Sequence, residues 1–173
     1  TTNRSSRIRS IVRRRYVEAD IDGESTDIAE VIGERQPDLL LLNDGDLAYA
    51  KIRLDERSLA TVIDKLDRLD DSLARALCWG AAWDMTRDAE MRARDFVALV
   101  LSNIGAETDA WGVSRIPVNA ASAANVLSAP EHRNELRATW EQGLMHLVKA
   151  AEPGSDHQLT FLRQLASAAH SED

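Results

Sequence analysis

The stretch from Leu39 to Ser58, LLLLNDGDLAYAKIRLDERS, constrains this chain more than any other. Leu39 to Leu42 is a short all-apolar run, which predicts a strand covered on both faces. Asn43-Asp44-Gly45-Asp46 is turn chemistry, with Gly45 free to take positive φ. Leu47 to Leu54 then alternates. Ala48, Ala50, Ile52 and Leu54 share one face, and Tyr49, Lys51 and Arg53 share the other. Asp55 is a good helix N-cap, with Ser58 as the alternative. Before this point the apolar period is two; after it the period is 3.6 almost to the end. The expected class is therefore α+β, mostly α. A short antiparallel β piece would be followed by antiparallel helical pairs.

Upstream, Val17, Ala19 and Ile21 alternate with Glu18, Asp20 and Asp22, as in a half-buried strand. Asp22-Gly23 reads as a hairpin turn, with a return strand from Glu24 to about Ile28. Arg4, Arg7, Arg9, Arg13, Arg14 and Arg15 crowd the start. They read either as an anion or nucleic-acid patch or as the solvated face of a strand. Interleaved Ile8, Ile11 and Val12, and the acids that follow at once, favour the strand. Three or four strands are too few for a complete sandwich, so the sheet should carry an open edge, which favours self-association.

Downstream, six helices are expected. The first runs from about Asp55 to Leu66, with Leu59, Val62, Ile63 and Leu66 as its stripe. The second starts at Asp70 or Asp71 and ends near Arg87. Leu73, Ala76, Leu77, Gly80, Ala81 and Met85 line one side, and Trp79 and Trp83 another. Gly80 would permit close approach of a neighbouring helix. The two Trp could stack on a ligand, but filling core is the commoner use. The third spans about Arg92 to Ile104, stopped by Gly105. The fourth, about Ala110 to Leu127 with Thr108 or Asp109 as cap, contains Pro117, which predicts a kink or a break. The fifth spans about Glu131 to Ala150. The sixth follows a Ser155 or Asp156 cap, with Leu159, Leu162, Leu165, Ala166 and Ala169 as its stripe. No strict repeat period is visible, so any solenoid would be degenerate.

The formal net charge is −8, and nearly all of the excess acid lies after residue 54. An acidic helical part argues against nucleic acid or an anionic membrane as partner. No apolar run approaches a membrane span and no signal peptide is visible. Cys78 has no second cysteine to pair with, which fits a reducing cytoplasm.

Three runs carry a family resemblance: Leu41 to Asp55 (LLNDGDLAYAKIRLD), Ser72 to Arg87 (SLARALCWGAAWDMTR) and Gln158 to Leu162 (QLTFL). Together they resemble the C-terminal region of actinobacterial aminopeptidase N, zinc metallopeptidases of the gluzincin type. The resemblance implies that residues 1–54 are the last strands of a small β-sandwich. It implies that residues 55–173 are the first part of an α-superhelix of HEAT or armadillo type, and that both ends lie inside domains. It also implies a parent enzyme that removes amino-terminal residues from peptides, with its catalytic domain and zinc upstream of Thr1. The helical part would roof the active-site chamber and limit substrate access.

The chemistry of that enzyme is not in these residues. A gluzincin needs H-E-x-x-H on a helix plus a distant Glu, because two His at i and i+4 share a face and the first Glu is the general base. No H-E-x-x-H occurs, nor the G-A-M-E-N run that grips a free amino terminus. His132, His146, His157 and His170 have no ligand spacing, although His132 and Glu135 could share a helix face. Cys78, between Leu77 and Trp79, reads as buried and inert. Asp44 and Asp46 flank Gly45, but no twelve-residue calcium loop follows. No catalytic, cofactor-binding or metal residue is therefore assigned. The rival reading is a free-standing helical-repeat adaptor that grips a peptide, which the incomplete sheet disfavours.

Overall fold

The computed structural model describes residues 15–169. Among them are six α-helices: α1 Glu56–Lys65, α2 Ser72–Arg87, α3 Ala93–Asn103, α4 Ala110–Ser122, α5 Arg133–Ala150 and α6 Asp156–Ala168. Four are started by one of the two residues the sequence offers at each. Asp55 accepts from the Ser58 N–H, Asp71 from those of Leu73 and Ala74, Asp109 from that of Gly112, and Ser155 from that of Gln158. Each cap satisfies backbone donors that a helix start otherwise leaves unpaired.

The helices form two rows. α1 packs on α3 and α3 on α5; α2 packs on α4 and α4 on α6. The rows are stitched together most extensively where α5 meets α6. This i to i+2 packing is that of stacked helical pairs. The core runs between the rows: Val62 and Leu66, Phe96, Leu99 and Val100, then Trp140, Leu144 and Phe161 are all essentially inaccessible.

The β piece is not seen. Among the described residues no strand forms, and residues before Asp55 run irregularly apart from a 3₁₀ turn at Ala29–Val31. A ladder needs a partner strand, and an isolated ribbon does not offset the entropy of ordering it. Side chains replace the ladder here. The Asn43 side chain behaves like a peptide unit toward Ala48, donating to its carbonyl and accepting from its N–H, both at 2.8 Å. Asn43 and Asp46 both have positive φ (54° and 55°), so the turn around Gly45 holds as expected. The alternation is half realised. Ile52 and Leu54 are buried, and Arg53 faces out to Asp88 and Glu90, but Ala48 and Ala50 are exposed. Leu39 and Leu41 rest on the helical core while Leu40 and Leu42 are half exposed. Asp22-Gly23 makes a local turn closed by Thr26, with no hairpin. The arginines up to Arg14 lie outside the described residues; Arg15 pairs with Glu34.

Three helix details differ from expectation. Pro117 does not break α4, which runs through it; its ring is fully buried, and packing there offsets the lost hydrogen bond. The irregularity comes later, as a π turn at Ala123–Leu127 that sinks Ala123 and Ala124 completely into the core. Gly105 sits in a 3₁₀ turn, Ile104–Ala106, without positive φ. On α6 the buried face is Phe161 with Leu165 and Ala168; Leu159 and Leu162 are nearly half exposed.

Candidate functional site

The most organised polar feature is a buried ion pair between α2 and the loop before α4. Arg75 is 7% exposed and Glu107 3%. The guanidinium forks onto the carboxylate, with Nη2 to Oε1 at 2.9 Å and Nε to Oε2 at 3.2 Å. Its remaining donors reach the carbonyls of Leu69 (2.7 Å) and Asp70 (3.0 Å) and the Thr108 hydroxyl (2.9 Å). Glu107 also accepts from the indole N–H of Trp79 (2.9 Å) and the backbone N–H groups of Thr108 (2.8 Å) and Asp109 (3.1 Å). The Glu107 carbonyl is bonded to Nε2 of His157 at the start of α6 (2.8 Å). One carboxylate thus ties α2, the start of α4 and, through its own backbone, α6.

Burial alone would raise the Glu107 carboxyl. Arg75, with the Asp109, Trp79 and Thr108 donors, more than reverses this and holds it down at about 2. Both carboxylate oxygens are occupied by donors of this chain.

Beside this hub, α2 and α4 part around a pocket of about 140 Å³. Trp79, Trp83, Phe96, Trp111 and Ile116 supply its apolar walls. Trp83 and Phe96 are in ring contact, centroids 5.3 Å apart. Trp79 and Trp83 pack into or against the core, the commoner of the two uses the sequence offered, and each also borders this space. Gly80 lies on the rim, and a Cβ there would meet nothing within 4 Å. The close helix approach expected at Gly80 occurs instead at Gly143 on α5, where a Cβ would collide with Leu101 of α3. Asp109 and Asn119 are polar groups on the lining.

The other singled-out residues do not converge. His132 and Glu135 are exposed, His146 is exposed on α5, and His170 lies outside the described residues. Among the described residues no three His, Cys, Asp or Glu side chains are placed to hold a metal. Cys78 is fully buried, and burial, then the charge of Asp44, pushes its thiol up to about 12. No described helix is long and apolar enough to cross a membrane.

Sequence reading missed Arg75, Glu107 and Trp111. Arg75 did leave a trace, being the only charge between Asp71 and Asp84 on an otherwise apolar helix. Glu107 left none, since a single acid before a helix cap is common.

Helical pairs stacked in two rows and tied by a buried ion pair define an α-helical array. The profile of the ERAP1-like C-terminal domain family matches residues 39–173, and the chain belongs to that family. Aminopeptidase N of Streptomyces lividans is 47% identical to it over 161 residues, 93% of this chain and 19% of that relative. The chain thus spans about a fifth of the relative's length.

Proposed function

We propose that this chain is a non-catalytic segment of the C-terminal region of a zinc-dependent aminopeptidase N, with the catalytic domain upstream in the same polypeptide. The observation that carries this reading is the 47% identity to aminopeptidase N over 161 residues. In this reading residues 1–54 complete a β-sandwich when upstream strands are present. The half-exposed Leu40 and Leu42, opposite the docked Leu39 and Leu41, are the side chains such a sheet would cover. Residues 55–173 begin the helical array that roofs the active-site chamber and restricts entry to extended peptides. The parent cleaves peptides in the cytoplasm, where the unpaired Cys78 stays reduced. Zinc belongs to the upstream domain.

The reading frame upstream of Thr1 should encode H-E-x-x-H; a start codon immediately before Thr1 would remove the proposal. The 173-residue chain should give no turnover of an aminoacyl fluorogenic amide, with or without zinc. The parent polypeptide should release residues from peptides and leave a folded domain with the same amino-terminal residue intact. Equal rates on both substrates would sink the roofing role.

A further inference from the structure

The pocket between α2 and α4 has a chemistry of its own. Its walls are aromatic: Trp79, Trp83, Phe96 and Trp111 all line it. Trp111 is 68% exposed, an unusual position for an indole with no cover among the described residues. The polar groups on the lining are acids, an amide and a hydroxyl, and no Lys or Arg is among them. Glu107 is fully committed to its own partners, so the exposed Asp109 carboxylate, which also caps α4 through the Gly112 N–H, supplies the negative charge on the lining. Asn119 is only 9% exposed, and it too lines the pocket.

We infer that this pocket receives the side chain of an arginine or lysine from an extended peptide. Aromatic faces attract a cation, and an acid and an amide oxygen accept its N–H groups. A neutral apolar guest would gain nothing from the Asp109 charge, and an acidic guest would be repelled by it. A space of about 140 Å³ is well under the several hundred Å³ of a drug-sized site, so it suits one side chain rather than a whole ligand. The acidic excess of residues 55–173 adds long-range attraction for the same guests. The inference does not depend on the peptidase reading, because it concerns binding by this chain alone.

The test titrates the whole chain with capped tripeptides carrying a central arginine, lysine, norleucine or glutamate. Tryptophan fluorescence and the indole N–H resonance of Trp111 report binding. Arginine and lysine peptides should bind saturably and at least about tenfold more tightly than norleucine, with glutamate silent. Asp109→Asn keeps the helix cap, since Asn caps as well as Asp, and should cost about tenfold for the cationic peptides only. Gly80→Leu should abolish binding. Its Cβ meets no atom within 4 Å, so the variant folds while its side chain fills the rim. Norleucine binding as tightly as lysine, no saturable signal with any peptide, or unchanged affinity in Gly80→Leu would each overturn the inference.

Discussion

Glu107 shows how much one buried carboxylate can organise. Its carboxyl lies at about 2 in the folded chain against an ordinary 4.5. Below pH 4.5 the unfolded chain binds the proton more readily, so stability falls as pH falls through the interval down to about 2. Above 4.5 the full contribution is present. A shift of that size is on the order of 3 kcal/mol, a large share of a typical domain's stability. Glu107→Gln should therefore destabilise the chain at pH 7 by about 3 kcal/mol, because Arg75 is left buried without a counter-charge. It should also flatten the acid limb of the urea midpoint between pH 5 and pH 3. A Gln variant that keeps the wild-type acid limb would show that other carboxylates control it. Replacing both Arg75 and Glu107 by apolar residues should not restore stability, as it can for a simple ion pair. The Trp79 indole and the Thr108 and Asp109 amides would lose their acceptor.

At the scale of elements, the sequence was readable where a local rule acts within a few residues. The caps Asp55, Asp71, Asp109 and Ser155 start their helices by accepting first-turn N–H groups, each chosen over a neighbouring Ser, Thr or Asp that the sequence also offered. In the α1 stripe Val62 and Leu66 are buried and Leu59 and Ile63 pack partly buried against the core, as the spacing requires. Reading failed where neighbours decide. α2 is apolar on nearly every side, so periodicity could not say that Arg75 turns inward while Leu73 is 44% exposed. Strand patterns in residues 17–54 were legible as alternation, but alternation does not supply the partner strand. The two helical glycines make the same point. Gly80 looked like the contact and stands in the open; Gly143 looked incidental and is pressed on Leu101. Gly80→Ala should stabilise by up to about 1 kcal/mol through helix propensity. Gly143→Ala should instead cost about 1–3 kcal/mol despite the same propensity gain, because a Cβ would lie 2.9 Å from Leu101 Cγ and closer still to both Cδ atoms. Adding Leu101→Ala should recover part of that loss, and a double-mutant cycle measures the coupling. Strict additivity would mean that α3 and α5 shift apart freely.

For the whole molecule, what matters is where the helical unit begins. The change of period at Asp55 places a boundary at 54/55, yet the family match starts at residue 39. The packing between those points is not that of a loose linker. Ile52 and Leu54 are 7% and 5% exposed, and Leu39 and Leu41 lie against the core. The Leu40 N–H donates to Ser58 Oγ at 2.9 Å, and that hydroxyl in turn donates to Asp55 at 2.8 Å, so the strap reinforces the cap of α1. Lys51 and Arg53 both reach Asp88 between α2 and α3; being exposed, these pairs add little. Burial of Ile52 and Leu54 contributes about 1.5–3 kcal/mol each. Trimming to residues 39–173 should therefore leave the melting temperature near that of the intact chain. Trimming to 55–173 should lower it steeply, since roughly 3–6 kcal/mol is lost from a domain holding about 5–15. Circular dichroism melts of the two truncations decide the matter. If both melt alike, the strap is dispensable and the unit starts at its first helix; if only the longer one survives, the extended residues are part of the helical array's own core.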